Sequence, residues 1–390
     1  MDNTIKVLVV DDSSLMRKMI TQMIVSDPAI EVINTAMNGY FALQKIEKNP
    51  PDIILLDIEM PQMDGVEFLK KWKELNIGIP VIVLSSLGKN RPELTVQCIE
   101  LGAKDFILKP SGTISLDIEM VKEEVIAKIK FFYRKRSDDE KIQKELIKET
   151  ISEIEKSDAI SKYYHKSATK EVKIGEKKDI PSGNLENKLK KVRSIDLVVI
   201  GISTGGPNAL RKILPLFSYE TFKTPIVIVQ HMPPGFTKEF SRSLNEISSL
   251  TVKEAEDFEP IKEGCVYIAP GGMHMLIDPK GIGHIIRLDD APPVNGHKPS
   301  VEILFNSVAE HISNKSIALI MTGMGKDGAR AIKQISLKGG ITIAQEENSC
   351  VVYGMPKAAV EIGGIDKILD LVDIPQKLQD IISDVKSRKN

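Results

Sequence analysis

Three carboxylates near the start of the chain are spaced so that they can form a single binding pocket. Asp11 and Asp12 directly follow the apolar run IKVLVV, and Asp57 ends the run DIILLD. Parallel strands of one sheet present their carboxyl ends at the same edge, so these side chains are expected to meet in one crevice. Clustered carboxylates repel one another, and the pocket therefore favours a divalent cation that prefers oxygen ligands, such as Mg²⁺.

Two further polar side chains end later strands of the same predicted sheet. The run PVIVLS ends at Ser85 and the run DFILK ends at Lys109, which brings a hydroxyl and an ammonium to the same edge. Together with the carboxylates, these groups can hold a phosphoryl group on Asp57. Each carboxylate taken alone is better explained as a helix cap or a turn residue. The combination of five such groups on neighbouring strands favours the pocket.

A candidate nucleophile lies in the C-terminal half. Ser203 ends the apolar run DLVVIGIS and is followed by TGGP and the helical pattern NALRKILPLF. A serine on a tight strand-to-helix turn is exposed at the top of a sheet, near a helix N-terminus that favours negative charge. A glycine-rich turn of this kind can equally cradle a nucleotide phosphate, so the local motif leaves both interpretations open.

Two observations argue against a dinucleotide site. The run GISTGG lacks the G-x-G-x-x-G spacing, and the strand PIVIVQH ends in His231 where an acidic ribose-binding residue is expected. His231 is suitably placed to accept the proton of Ser203, although a lone histidine at a strand end is more often structural. Asp327, after the run KSIALIMTG, would fix the tautomer of this imidazole. Its alternative role is the N-cap of the helix that begins near Gly328.

Positioning these residues requires two α/β domains. A chain of 390 residues is longer than the roughly 250–300 at which a single core stops growing. Apolar runs alternate with helical patterns in both halves, which is typical of βαβ units. We predict a (βα)5 domain over 1–135, a charged linker over 136–193 and a doubly wound α/β domain over 194–390. CVYIAP, HMLID and HIIRL predict a hairpin or meander inserted in the second domain.

The composition limits the classes of partner. The chain has 53 Lys plus Arg and 54 Asp plus Glu, so it carries no general attraction for nucleic acid or anionic lipid. The opening residues show no signal-peptide pattern, and no apolar run approaches the roughly 20 residues of a membrane span. We therefore predict a cytoplasmic protein with no nucleic-acid partner and no direct membrane insertion.

The N-terminal motifs VVDDS, LLDIEMPQMDG, VLSS and ILKP resemble the response-regulator receiver family, whose fold is flavodoxin-like. The resemblance implies that Asp57 is the phospho-acceptor and that Mg²⁺ is bound by Asp11, Asp12, Asp57 and the backbone carbonyl of Glu59.

The same resemblance implies a switch next to the phosphoryl group. Lys109 would contact the phosphate, and Ser85 and Phe106 would form the switch pair. A phosphoryl group adds about −1.5 to −2 charges, which would draw in Ser85 and leave room for the aromatic ring to rotate inward.

Six C-terminal motifs, in order, resemble the catalytic domain of the chemotaxis protein-glutamate methylesterase/glutamine deamidase (CheB) family. They are GISTGGP, VQHMPPGF, YIAPGGMHM, PPVNGHKPSVE, MTGMGKDG and SCVVYGMP. The resemblance implies that Ser203 is the nucleophile, His231 the base and Asp327 the orienting acid. The backbone N–H of Met324 would contribute to the oxyanion site, with Thr204 close by.

This resemblance also implies the reaction and its partners. The substrates would be methyl-accepting chemotaxis receptors, the phosphodonor a chemotaxis histidine kinase, and the hydrolytic step would need no cofactor. The unphosphorylated receiver would cover the hydrolase site. The chain departs from the family at Lys298 and Glu302, where Arg and Asp are common, so a bidentate substrate contact is expected to be altered.

Two other functions are weighed against hydrolysis. The first is a response regulator without enzymatic activity, whose second domain binds a nucleotide or a protein; the missing dinucleotide features disfavour it. The second is a DNA-binding output domain, which is weaker still because the C-terminal half shows no basic helix-turn-helix pattern.

Overall fold

The N-terminal domain is built on five parallel strands in the order β2-β1-β3-β4-β5. The computed structural model describes residues 4–75, 77–85, 91–109, 119, 121–136, 183–281 and 283–388. The strands are β1 (Ile5–Val10), β2 (Ile30–Ala36), β3 (Ile53–Asp57), β4 (Val81–Ser85) and β5 (Asp105–Leu108). The helices are α1 (Ser14–Ile24), α2 (Gly39–Lys48), α3 (Gly65–Leu75), α4 (Pro92–Glu100) and α5 (121–136). This strand order confirms the flavodoxin-like (βα)5 prediction.

The sheet is covered on both faces because successive side chains of a strand point in opposite directions. In β1, Leu8 and Val10 pack into one apolar cluster, which contains Phe68 of α3. Val7 and Val9 pack into the cluster on the other face. Apolar side chains therefore occupy every position of β1 except the exposed Lys6, which explains why its sequence is a nearly continuous apolar run rather than an alternating one.

The C-terminal domain contains a seven-stranded sheet in the order β14-β13-β12-β6-β7-β9-β8, with parallel neighbours throughout. Its strands are β6 (Leu197–Ile202), β7 (Ile226–Gln230), β8 (Thr251–Glu254), β9 (Cys265–Ile268), β12 (Ser316–Ile320), β13 (Ile341–Gln345) and β14 (Lys367–Leu369). Its helices are α6 (Gly183–Leu189), α7 (Gly206–Ile213), α8 (Phe236–Ile247), α9 (Val301–His311), α10 (Ala329–Leu337), α11 (Met355–Glu361) and α12 (Ile374–Ser387).

A separate antiparallel hairpin confirms the predicted insertion. It consists of β10 (His274–Lys280) and β11 (Gly283–Asp289). The run CVYIAP is not part of it, since β9 joins the main sheet beside β7. The short strands β8 and β14 were not predicted, because their sequences, TVKE and KIL, do not form an apolar run that stands out from the neighbouring residues.

The segment before β6 packs on the C-terminal domain. Leu185 and Val192 are buried in the apolar cluster of that domain, and Lys188 Nζ lies 2.7 Å from Asp366 Oδ2. The domain limits 1–135, 136–193 and 194–390 stay a prediction. The weak helical pattern noted between Ile142 and Ile154 lies outside the described residues.

The two domains are in contact through α4, β5 and α5 of the first domain. The rings of Phe106 and Phe236 stack with centroids 6.0 Å apart and planes 14° from parallel. Val96 of α4 is buried in the apolar cluster of the second domain, and Ser243 Oγ of α8 donates to Glu100. No helix in the described part of the chain is long and apolar enough to cross a membrane.

Candidate active site

Three adjacent strands bring the predicted serine, histidine and aspartate to one edge of the C-terminal sheet. The central strand β6 ends before Ser203, and its neighbours β7 and β12 precede His231 and Asp327. All three residues line one cavity of about 640 Å³. Side chains far apart along the chain therefore meet where open α/β sheets usually bind their ligands.

Ser203 is held on a turn that only glycine permits. Its N–H donates to Thr322 O at 2.9 Å, and its carbonyl accepts from the Gly206 N–H at 2.8 Å. Gly205 has φ +81°, a conformation that side chains with a Cβ rarely adopt. A Cβ on Gly206 would lie 1.9 Å from Gln230 Oε1. The two glycines thus let α7 start directly after the serine.

His231 and Asp327 form a hydrogen-bonded pair. His231 Nε2 lies 2.9 Å from Asp327 Oδ2, and an ionised carboxylate can only accept, so Nε2 is the protonated nitrogen. His231 Nδ1 is buried and has no hydrogen-bond partner among the described residues. Ser203 Oγ likewise makes no hydrogen bond to any residue that the structure describes. The structure therefore forms the histidine–aspartate contact and leaves the serine–histidine contact open.

Asp327 is the most heavily hydrogen-bonded carboxylate of the cavity. Its Oδ1 accepts from Ser300 Oγ and Asn295 Nδ2, each at 2.8 Å, and its Oδ2 accepts from the Val301 N–H at 2.6 Å. Burial by itself raises the pKa of Asp327, but the His231, Asn295 and Ser300 contacts outweigh it and hold that pKa well below its usual range. Asp327 thus caps the N-terminus of α9, not the helix near Gly328 that was its predicted alternative.

Met324 and Thr204, which the resemblance assigns to the oxyanion site, both line the cavity. Met324 lines the cavity between two glycines, and no acceptor for its N–H is found in the described part of the chain. Thr204 also lines the cavity. Its hydroxyl lies 3.4 Å from Glu124 Oε1 of α5 in the first domain.

The two departures from the family pattern, Lys298 and Glu302, lie two residues before and two residues after Ser300, a hydrogen-bond partner of Asp327. Lys298 Nζ donates to the Asp290 side chain. Its side chain therefore points to Asp290 and not to Asp327. The Glu302 N–H lies 3.3 Å from Asp327 Oδ1, so its backbone belongs to the capping interaction. Burial raises the pKa of the Glu302 carboxyl.

The N-terminal pocket brings together the predicted carboxylates and the lysine. One oxygen from each of Asp11, Asp12 and Asp57 lies within 4.8 Å of the others. Lys109 Nζ is 2.6 Å from Asp11 Oδ2 and 2.8 Å from Asp57 Oδ1. Burial raises the pKa of Asp57 to about 6, although Lys109 opposes the shift. Glu59 lies in the loop after β3.

This donor set fits a divalent cation of the Mg²⁺ type. All three side chains offer hard oxygen donors, and one ammonium neutralises only part of their charge. Asp12 is exposed, so the pocket is open to solvent on that side.

The predicted switch pair is arranged around the domain contact. Ser85 Oγ lies 2.8 Å from Thr95 Oγ1 in a buried contact. The Phe106 ring is directed at the second domain, where it stacks on Phe236. Lys128 Nζ of α5 also lies over this ring, 5.7 Å from its centroid.

Residues of the N-terminal domain complete the wall of the hydrolase cavity. Phe106, Lys109 and Glu124 line it opposite Ser203 and His231. The first domain therefore forms part of the wall around the side chains that could react, and the cover that the resemblance implies stays a prediction.

Two residues of the cavity were missed in the sequence. Asn295 donates to Asp327, and the His297 ring stacks on the His231 ring with centroids 3.8 Å apart. The signal was present, since Asn-Gly at 295–296 is a strong hairpin-turn dipeptide. Nothing in the sequence indicated which side chains that turn would contact.

Comparison with known proteins agrees with this architecture. The CheB methylesterase family model matches residues 198–378, and the response regulator receiver domain model matches residues 7–121. A protein-glutamate methylesterase/protein-glutamine glutaminase of Treponema denticola is 44% identical over 93% of this chain and 94% of its own. The protein of that name from Bacillus subtilis is 41% identical over 95% of this chain and 96% of its own.

A solved structure of the Thermotoga maritima CheB methylesterase catalytic domain is also similar. It is 44% identical, covers 48% of this chain and 100% of its own, and has a TM-score of 0.47. The names of the relatives do not favour an output domain without enzymatic activity. By its similarity to them over nearly its whole length, this chain belongs to the CheB methylesterase family.

Proposed function

We propose that this protein is a phosphorylation-controlled hydrolase that acts on chemoreceptors. It releases methanol from γ-glutamyl methyl esters and ammonia from specific glutamine side chains. One observation carries the proposal: His231 is oriented by Asp327 through Nε2, and its unpartnered Nδ1 lies in the same cavity as Ser203. A neutral imidazole with one free nitrogen beside a serine is the arrangement that general-base activation requires.

In the proposed mechanism, Ser203 Oγ rotates to His231 Nδ1, gives up its proton and attacks the γ-carbonyl carbon. Asp327 keeps the imidazole in the correct tautomer and stabilises the imidazolium that forms. The Met324 N–H donates to the oxyanion. Stabilisation of this developing charge is usually the largest single contribution to the rate enhancement. His231 then returns the proton to the leaving methoxide, and methanol departs from the acyl-enzyme.

The second half of the reaction uses the same groups. His231 Nδ1 takes a proton from water, the hydroxide attacks the acyl carbon, and Ser203 leaves with the proton. The product is a glutamate side chain. A glutamine amide follows the same course with ammonia as the leaving group, so this chemistry accounts for both activities in the names of the relatives.

Control is proposed to come from the N-terminal pocket. Asp57 accepts the phosphoryl group from a chemotaxis histidine kinase, and Asp11, Asp12, Asp57 and the backbone carbonyl of Glu59 hold Mg²⁺. The cation supplies charge neutralisation for the transferred phosphoryl group. Lys109, which already bridges two carboxylates, contacts the phosphoryl oxygens.

Phosphorylation acts on the domain contact. Ser85 moves toward the phosphoryl oxygens, and the Phe106 ring leaves its stack on Phe236. The contact that covers the hydrolase cavity is thereby weakened, and the receptor gains access to Ser203. The cytoplasm is the proposed location of this reaction.

The decisive experiment measures methanol release from methylated receptor with full-length protein, Mg²⁺ and a phosphodonor. Ser203→Ala is expected to lower kcat by up to about 10⁶-fold, because members of a triad act as a unit. The circular dichroism spectrum and melting temperature of the Ser203→Ala protein should match those of the parent, which would show that the second domain is folded. Undiminished methanol release by folded Ser203→Ala protein would refute the proposal.

A further inference from the structure

A tight turn reaches both members of the histidine–aspartate pair from the same side. Val294 and His297 exchange backbone hydrogen bonds at 3.1 and 3.0 Å. The two residues between them have positive φ, +54° for Asn295 and +80° for Gly296. This is the geometry of a type I′ turn, in which Asn-Gly is strongly preferred. Because its backbone is fixed by its own hydrogen bonds, the turn is a defined support for its side chains.

Two side chains of this turn, Asn295 and His297, each contact one member of the pair. Asn295 Nδ2 donates to Asp327 Oδ1 at 2.8 Å. The His297 ring lies face to face with the His231 ring, with planes 12° from parallel and centroids 3.8 Å apart. The turn therefore contacts the aspartate at the oxygen that does not face His231 Nε2.

The stacked ring restricts the motion that would disable the base. Half a turn of the His231 imidazole about its Cβ–Cγ bond would put Cδ2 where Nδ1 lies and Cε1 where Nε2 lies, so that neither nitrogen would keep its place. The ring has to sweep through the space above its own plane to do so, and His297 fills that space. The Asp327 hydrogen bond at Nε2 opposes the same rotation. Together they keep Nδ1 on the side of the cavity.

The contacts of His297 match a stacking role better than a chemical one. Neither of its ring nitrogens has a hydrogen-bond partner among the described residues. Burial, with the neighbouring His231 in second place, lowers the pKa of His297 to about 4, although Asp327 opposes the shift. The ring is therefore neutral at neutral pH. It does not repel the imidazolium that His231 becomes during the reaction.

We propose that His297 is a positioning residue that holds the His231 ring with Nδ1 toward Ser203, through its stacked face and not through its nitrogens. The type I′ turn that carries it is the rigid support for this contact. The inference rests on the proposed function, since it assigns the orientation of the proposed base.

The stack predicts that a flat apolar ring can replace His297 and that a methyl group cannot. In full-length protein with Mg²⁺ and a phosphodonor, His297→Ala is expected to lower kcat for methanol release by ~10- to 100-fold, as a misplaced reacting group does. His297→Phe should stay within about threefold of the parent, and KM should change less than about twofold in either variant.

A second readout does not depend on activity. The ¹⁵N shifts of the His231 ring report which nitrogen carries the proton. The parent and His297→Phe should show a single tautomer with the proton on Nε2, and His297→Ala should show averaging between the two ring nitrogens. Loss of activity in both variants would mean that the His297 nitrogens are used, and it would overturn the proposal. Unchanged kcat and an unchanged tautomer in His297→Ala would do so as well.

The two levels of hypothesis fail in different ways. If Ser203→Ala retains activity, the proposed function is wrong, whatever His297 does. If Ser203→Ala is inactive while His297→Ala keeps the kcat and tautomer of the parent, the hydrolase stands and only the positioning role falls. A rise in KM alone in His297→Ala would identify His297 as a substrate contact and would also contradict the positioning role.

Discussion

The two domains place a buried aspartate at the same point of a parallel sheet and give it opposite properties. Asp57 is the last residue of β3 and is 4% exposed, while Asp327 lies in the loop after β12 and is 1% exposed. Burial raises the pKa of both carboxyls, and it is the largest single influence on each. The pKa of Asp57 nevertheless ends at about 6, whereas that of Asp327 ends well below its usual range.

The difference lies in the partners and not in the burial. Asp57 shares one ammonium, Lys109, with the neighbouring carboxylate of Asp11, and its Oδ1 accepts one backbone N–H. Asp327 accepts from His231, two neutral side chains and the backbone at the start of α9. Hydrogen bonds to the ionised form lower a carboxyl pKa, whereas a like charge nearby raises it.

This contrast relates each pocket to its chemistry. The Asp57 pocket keeps uncompensated negative charge, so it can take up a cation and then a phosphoryl group. The Asp327 pocket is already satisfied and has no need of a ligand. Its carboxylate serves as a fixed reference for the His231 ring.

Asp327→Asn should break the comparison most strongly. An amide at this position lacks the charge that stabilises the imidazolium, and it can favour the wrong tautomer of His231. We expect kcat for methanol release to fall by about 10⁴-fold, the size seen when this role is lost in other triads. Activity within tenfold of the parent would show that Asp327 is a helix cap and nothing more.

The same variant has a stability signature with a defined pH window. A carboxyl whose folded-state pKa is depressed stabilises the fold above its unfolded pKa, and the contribution is lost as the pH falls through the folded value. The melting temperature of Asp327→Asn should therefore lie below that of the parent at pH 7. The difference between the two melting temperatures should become smaller at pH values below 3.8, the ordinary pKa of an aspartate carboxyl. If the difference in melting temperature did not change with pH, the depressed pKa of Asp327 would not contribute to stability.

Much of both pockets was predictable because strand ends are easy to find. The centres of the runs DIILLD and KSIALIMTG, IILL and IALIM, are apolar at every position, and buried parallel strands have that composition. A polar residue that ends such a run lies at the functional edge of the sheet. This reasoning identified the residues that the structure brings together in the Asp57 pocket, and it also identified Ser203, His231 and Asp327.

The remaining features depend on packing between segments that the sequence does not relate. The Asp327 carboxylate caps α9, which begins 26 residues earlier at Val301. The ring of His297 meets that of His231 across the cavity. The contact of Glu124 with Thr204 joins two domains. The periodicity of apolar residues within one helix or strand does not predict any of these contacts, because each of them joins two different segments.

Asp57→Asn tests the less satisfied side of the comparison. It removes the phospho-acceptor and one of the three carboxylates, so methanol release should be equal with and without a phosphodonor. Mg²⁺ affinity should fall by an order of magnitude or more, measured by isothermal titration. Asp52→Asn, at the other end of β3, is the matched control and should keep the response. Continued stimulation of Asp57→Asn by the donor would place the phosphoryl group elsewhere.

Asn295→Gly removes one of the hydrogen-bond donors to Asp327, so that this carboxylate becomes slightly more like that of Asp57. Glycine accepts the positive φ of the turn and removes only the amide that donates to Asp327 Oδ1. We expect the pKa of Asp327 to rise. We also expect kcat to fall by about tenfold, which corresponds to the loss of roughly one charge-assisted hydrogen bond. Asn295→Ala should be worse, because a Cβ strains the turn. Equal kcat in the parent and Asn295→Gly would show that the remaining donors suffice.

The smallest effect is expected where the two domains meet. Glu124 pairs with the buried Lys128 at 2.8 Å and accepts from Thr204 Oγ1 at 3.4 Å, next to Ser203. Its side chain is 28% exposed, so solvent weakens both contacts. Glu124→Ala should raise methanol release without a phosphodonor by roughly two- to fivefold, because a modest part of the domain contact is lost.

The phosphorylated proteins separate this contact from the chemistry. Once phosphorylation has opened the domain contact, Glu124→Ala and the parent should release methanol at the same rate. Glu123→Ala, on the exposed side of the same helix, is the matched control and should leave the basal rate unchanged. A Glu124→Ala protein with the basal rate of the parent would show that the Thr204 contact does not restrain the hydrolase. A higher rate in the phosphorylated state as well would mean that Glu124 affects catalysis directly and is not part of the cover.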